Sequence, residues 1–355
     1  MKALRFHAAR DLRVDDIAAP PRPGPGEVLV KVSLCGICGS DLHEYTDGPQ
    51  LISVDPHPFT KAKAPQILGH EFSGRVEAVG EGVSKWKAGD RISAVPHLNV
   101  PGEYFSRRNL GHVSSETALV GFSWAWGGMG EYAILPQENC VRLPDGVSDL
   151  QGALVEPASV ALNAVDLAKL EAGSTVLVAG AGPIGSLVAL CALASGASTV
   201  VVADPNPFRR QFLADVPGIR PCSGATDELQ ALMAALTDEG RGFDAAIECA
   251  GHEKALDGCI ETVKPTGTIV QVGLFVKVPR INAFRISEKM LRYQGSWGFP
   301  ITIGPRVVAL IEAGKLSVEK IVTGRVPLAH AVPQGFDPLI TPGNENLKIM
   351  VEVLQ

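Results

Sequence analysis

The stretch Gly180-Ala181-Gly182-Pro183-Ile184-Gly185 constrains this chain most, because of where it stands. A G-x-G-x-x-G pattern alone is a weak signal. Here it follows the apolar run Ser174-Thr175-Val176-Leu177-Val178-Ala179 and opens a helical run through Ala194, the context in which the pattern has a mechanism. Gly180 permits a tight turn, Gly182 lets the backbone approach a pyrophosphate, and Gly185 allows helix and strand to pack closely. Pro183 and Ile184 begin the helix, whose free N–H groups and dipole favour an anion. The next strand, Thr199 to Ala203, ends on Asp204, 24 positions after Gly180 (204 − 180). That is close to the ~20-residue offset of a ribose-binding acid. A carboxylate there accepts from both ribose hydroxyls and repels a 2′-phosphate, which favours NAD over NADP. Arg209 and Arg210 act against that choice, since an arginine near this acid can accommodate a phosphate. Val272, late in the strand run Gly267 to Gly273, joins the expected cofactor contacts.

With 355 residues, two domains of ~150 residues each are expected. After Glu156 the texture alternates: a helix from Ala158 to Ala168, then strands at Thr175, Thr199, Phe243 to Cys249 and Gly267 to Gly273. This is the pattern of a doubly wound parallel sheet, the Rossmann arrangement. Before Glu156, glycine and proline punctuate short strands such as Val28-Leu29-Val30-Lys31-Val32 and Phe72 to Val79, which predicts an irregular β-rich domain. A helix from Pro305 to Ala313 and a strand from Leu347 to Val353 return the chain to that first domain. The expected organisation is α/β, with a β-rich catalytic domain over 1–152, a dinucleotide domain over 153–296, and 297–355 returning to the first.

The β-rich half carries a second chemistry. Gly36-Ile37-Cys38-Gly39-Ser40-Asp41-Leu42-His43 places thiol, hydroxyl, carboxyl and imidazole in one short turn, and Leu68-Gly69-His70-Glu71-Phe72 adds another imidazole and carboxyl. Glu156 interrupts an apolar run in Val155-Glu156-Pro157. Cys38, His70 and Glu156 form a mixed S, N and O set suited to catalytic zinc, which keeps three protein ligands and an open position. Each has a bland alternative: Cys35 and Cys38 as a redox pair, His70 as a core residue, Glu156 paired with an arginine. The combination carries the metal reading.

Composition narrows the partners. A net charge of -6 without basic runs argues against nucleic acid and anionic membrane, leaving a small-molecule substrate. The apolar runs fall short of the ~20 residues that span a bilayer, and no signal peptide is read at Met1 to Phe6. Seven scattered cysteines do not resemble a secreted disulfide framework and point to a reducing cytoplasm.

Gly36 to His43, Gly69-His70-Glu71, Glu156-Pro157 and Gly180 to Gly185 together resemble the medium-chain, zinc-dependent alcohol and polyol dehydrogenases. The similarity runs over essentially the whole chain. His43-Glu44-Tyr45, Gly48-Pro49, Pro56-His57-Pro58 and Leu68 to Gly74 are most similar to the 2,3-butanediol dehydrogenase branch. The resemblance implies a GroES-like catalytic domain beside the Rossmann domain, and one catalytic zinc on Cys38, His70 and Glu156. It implies Glu71 close to the metal as an alternative third ligand, and Asp41 hydrogen-bonded to the His70 ring. It implies oxidation of an alcohol by NAD, the zinc acting as Lewis acid, with Ser40 taking the substrate proton and His43 releasing it. A vicinal diol or hydroxyketone suits the site, with polyol and threonine dehydrogenases as neighbouring alternatives and a zinc-free quinone reductase as a distant one. Between Pro96 and Val113 the chain departs from the pattern. Four cysteines around a structural zinc are missing there, so no structural zinc is expected. A homo-oligomer, dimer or tetramer, is expected. Trp124, Trp126 and Trp297 are candidate apolar walls of the substrate pocket.

Overall fold

The computed structural model describes residues 1–354. The chain forms two units. Met1–Glu156, Pro300–Ala313 and Val322–Gln355 make the first, and Pro157–Phe299 with Gly314–Ile321 the second. The returning segment therefore visits the first unit twice, with 314–321 assigned to the second in between.

The second unit is built on six parallel strands in the spatial order Ile219–Cys222, Thr199–Ala203, Thr175–Ala179, Phe243–Glu248, Val263–Gln271, Arg292–Gly295. Thr175–Ala179 is buried at every position, as expected of a central strand covered on both faces. Chain order reverses between this strand and Phe243–Glu248. In such sheets ligands bind outside the carboxyl ends of the strands at that reversal. The two outer strands do not stand out in the sequence. One contains Pro221, and the other, Arg-Tyr-Gln-Gly, is polar and lies at the surface at every position.

In the first unit Glu27–Gly36 is the organising strand. Val28, Val30 and Val32 face the core, while the strand pairs antiparallel with Glu71–Val79, Tyr132–Pro136 and Lys348–Glu352. Its register sets Gly36 beside both Glu71 and Met350. A Cβ on Gly36 would run into Glu71 Oε2 and come within 3.0 Å of Lys348 Cε, so glycine makes room for those two side chains.

Local structure departs from the sequence reading in three useful places. The Cys38 turn continues into a helix, Gly39–Asp47, with Cys38 as its N-cap and the Asp41 carboxylate accepting from Cys38 N at 2.9 Å. Helix Val155–Ala168 starts earlier than Ala158, because a proline in the first turn costs no hydrogen bond there. Glu156 thus lies in a helical first turn. The late helix is Ile303–Glu312, shifted from the expected Pro305 to Ala313 for the same reason. The excursion after Pro96 holds a small strand pair, His97–Leu98 with Ala118–Leu119, and two 3-10 turns, Ser106–Arg108 and Gly111–Val113. Among the described residues no helix is long and apolar enough to cross a membrane.

Candidate active site

Cys38, His70 and Glu71 come from three local structures, a helix N-cap, a strand entry and the first strand residue. One ligand atom from each lies within 4.8 Å of the others. His70 and Glu71 are buried. Gly69, at φ +94°, lets the chain turn tightly into them, and a Cβ there would press on Cys35 Sγ and the Met129 backbone. Ser40 Oγ lies 3.5 Å from His70 Nε2. His43, one turn further along the same helix, is exposed to solvent.

The electrostatics of this cluster are those of a site prepared for a cation. Burial, then the charge of Glu71, pushes the Cys38 thiol up to about 12. Burial likewise raises the Glu156 carboxyl to about 8, with the charges of Glu71 and Cys38 adding to it and His70 opposing it. His70 Nδ1, Asp41 Oδ1 and Glu71 Oε1 are buried without a hydrogen-bond partner. Unpaired buried polar atoms are costly; His70 Nδ1 and Asp41 Oδ1 face each other at 3.7 Å, whereas a metal ion beside Cys38 and His70 supplies a partner for the Glu71 oxygen. The thiol, imidazole and carboxyl donors match zinc, and a thiol must give up its proton to serve as a ligand.

One expectation about this site changes, and one residue is added to it. Asp41 does not hydrogen-bond the His70 ring. Its Oδ1 stands 3.7 Å from Nδ1, because the helix cap commits Oδ2 to Cys38 N. The added residue is Lys348, which the sequence reading passed over. This lysine is buried, donates to Ile37 O at 2.9 Å and forms an ion pair with Glu71 Oε2. Burial alone would depress its ammonium, but the charges of Glu71 and Cys38 outweigh that and hold it above the ordinary lysine value. The missed signal was a lysine within the apolar run Leu347-Lys348-Ile349-Met350-Val351. Glu156 is not in the 4.8 Å set, although it senses the charge of all three members. Trp124 packs against the first unit's core and donates to Ile134 O at 2.7 Å, whereas Trp297 is half exposed.

In the second unit, Gly180 adopts φ +104°, and helix Pro183–Ala194 begins with Gly182 as N-cap. A Cβ on Gly185 would run into Gly180 O, so the third glycine is sterically required. Asp204 is buried and fixes the turn, its Oδ2 accepting from Ala181 N at 2.8 Å and its Oδ1 from Asn206 N at 2.8 Å. Arg209 stands 3.8 Å from Asp204. Beside them opens a cavity of about 620 Å³ lined by Gly180, Asp204, Arg209, Ser223, Ala250 and His252, among others. Val272 is not one of its lining residues; its N–H instead donates to Glu248 O.

A family model for the alcohol dehydrogenase GroES-like domain matches residues 24–145, and one for the zinc-binding dehydrogenase matches 183–313. The chain belongs to the zinc-binding alcohol dehydrogenase family. Within that family it is 38% identical over 352 residues to an (R,R)-butanediol dehydrogenase of Bacillus subtilis (strain 168), covering 99% of each chain. It is 32% identical over 357 residues to an (R,R)-butanediol dehydrogenase of Neisseria gonorrhoeae, again over 99% of each. The crystal structure of 2R,3R-butanediol dehydrogenase from Bacillus subtilis superimposes with a TM-score of 0.91 at 37% identity, over 99% of both chains. The expected family and the pairing of a GroES-like domain with a Rossmann domain are borne out. This zinc-binding dehydrogenase is an oxidoreductase acting on a CH–OH group, with zinc and NAD(H) as its cofactors.

Proposed function

We propose that this chain interconverts a vicinal diol and its hydroxyketone, most directly (R,R)-2,3-butanediol and acetoin, using NAD(H). The observation that carries this reading is full-length likeness to butanediol dehydrogenases together with the convergent Cys38, His70 and Glu71 donors. Cys38 and His70 hold the zinc. Two carboxylates compete for the third position. Glu71 converges with Cys38 and His70 but is engaged by Lys348, while Glu156, raised by burial, lies outside that set. When bound, zinc supplies a Lewis acid that lowers the pKa of an alcohol oxygen, and NAD supplies the hydride acceptor. Ser40, beside His70, takes the proton of the substrate hydroxyl. His43 releases it to water from its exposed position three residues along the helix, an imidazole being the side chain that exchanges protons near neutrality.

The test is the initial rate of NADH oxidation with acetoin and with fructose, with and without a chelator. Acetoin turnover that the chelator suppresses is the expected result. A preference for fructose would move the substrate to the polyols, and failure with both would remove the diol assignment.

Asp204 and the cavity support binding of the adenosine end of NAD, the carboxylate disfavouring a 2′-phosphate. Seven free thiols suit a reducing cytoplasm. The homo-oligomer, dimer or tetramer, is built on the edge strand Arg292–Gly295. That strand ends the sheet with every residue exposed, and Val276, Val278 and Phe284 of the same unit are 90%, 97% and 72% exposed. An unpaired edge with apolar residues exposed in the same unit invites a second copy of itself about a two-fold axis. Val276→Glu combined with Val278→Glu is expected to lower the solution mass to that of the monomer. Light scattering that finds the wild-type mass in the variant would place the interface elsewhere.

A further inference from the structure

Glu248 is a fully buried acid outside the zinc cluster. It is the last residue of strand Phe243–Glu248 and sits at the reversal of strand order. Its carboxylate accepts from Ala250 N at 2.9 Å, Gly251 N at 3.1 Å and Gln271 Nε2 at 2.5 Å. Its carbonyl oxygen accepts from Val272 N and Gly273 N, both at 2.9 Å. One residue therefore ties together the loops that leave two neighbouring strands. Gln271 is itself held, donating to Gly273 O at 2.7 Å and accepting from the Tyr293 hydroxyl at 3.0 Å. Tyr293 lies on the edge strand.

The two loops touch backbone to backbone. A Cβ on Gly273 would run into Gly251 N, and one on Gly251, at φ +62°, would run into Leu274 O. Ala250 and His252 wall the 620 Å³ cavity, and a Cβ on Gly180 would lie 3.0 Å from Ala250 N. The spacing between the glycine turn and loop 249–252 is thus set where Glu248 pulls on the loop. Burial pushes the Glu248 carboxyl up, while its hydrogen bonds from Gln271, Gly251 and Ala250 oppose that shift.

We propose that Glu248 is a positioning residue for the dinucleotide: its carboxylate holds loop 249–252 against the Gly180 turn, and Gln271 and Tyr293 orient that carboxylate. This presupposes that the cavity takes NAD(H). Glutamine is the discriminating replacement. It keeps the volume but turns an NH₂ toward backbone N–H donors, so the loop is released while the strand's own ladder is kept.

Glu248→Gln is expected to weaken NADH binding about tenfold, the scale of one lost hydrogen bond to a charged group. Binding is read by NADH fluorescence. Hydrogen exchange in the cofactor-free protein should be faster at the Ala250 and Gly251 amides, with zinc content unchanged. Tyr293→Phe removes one orienting hydroxyl from a part-exposed residue and should weaken NADH binding in the same direction by about two- to threefold. Wild-type exchange and wild-type NADH affinity in both variants would overturn the role of Glu248. A wild-type protein that fails to bind NADH would instead overturn the cavity's assignment, and the exchange measurement would still judge the clamp.

Discussion

Replacing Cys38 by serine is expected to cut turnover more than ~100-fold, beyond the 10–100-fold typical of losing a partner behind a metal ligand. Zinc content should fall with it, and NADH binding should be retained. The reason lies in the donor. Burial holds the Cys38 thiol at about 12, and zinc recovers the thiolate because sulfur is a strong ligand. A serine hydroxyl gives up its proton far less readily. The helix survives the exchange, because Cys38 is its N-cap and serine is a preferred N-cap residue. The proposed dinucleotide site, Gly180 to Gly185 with Asp204, lies wholly in the second unit. Cys35→Ser is the matched control. Cys35 Sγ points to Gly36 O at 3.5 Å and is not in the convergent set, so that variant should keep its zinc. Metal analysis of the two proteins decides the matter. Full zinc in the Cys38 variant, or equal loss in both, would remove Cys38 from the metal.

The dinucleotide turn was legible from sequence because its demands are local. Three glycines and an acid at fixed offsets meet backbone requirements that no distant residue can alter, and the turn has the expected form. The metal cluster was legible as a list of residue types with motif spacing. Its internal arrangement was not, because that depends on register between strands far apart in the chain. Gly36 opposite Glu71 and Met350 brings Lys348 within reach of Glu71, a meeting across 277 positions (348 − 71) that no local pattern encodes. The Asp41 geometry was hidden for a related reason. Whether its carboxylate serves the ring or the helix cap depends on a helix at 39–47 that short glycine-rich segments do not announce. Glu248 was equally silent. An acid at a strand end is ordinary until two donors from one loop and one from the end of the neighbouring strand are seen to converge on it.

Lys348→Met is expected to lower the melting temperature of the zinc-free protein by roughly 10 °C. Breaking a buried ion pair by removing one partner typically costs ~3–5 kcal/mol, and a folding unit of about 150–250 residues, the range of the first unit, shifts ~2–4 °C per kcal/mol. Without the lysine, Glu71 is left buried beside Glu156, Asp41 and the Cys38 thiol with no ammonium against it. Because the folded-state pKa of Lys348 is raised, its contribution is fully present throughout the neutral range. It fades only as pH climbs past the ordinary lysine value and through the raised one, so the lysine's own titration adds no pH dependence to the loss between pH 6 and 8. Zinc supplies the missing positive charge to the same carboxylates, so the zinc-loaded variant should lose much less. Adding Glu71→Gln removes the stranded charge and should return most of the lost stability, a coupling that only residues in contact display. Melting curves of the single and double variants, each with and without zinc, give the four comparisons needed. An equal drop in both metal states, with no recovery in the double variant, would mean that Lys348 acts through packing and its bond to Ile37 O rather than as the counter-charge of the cluster.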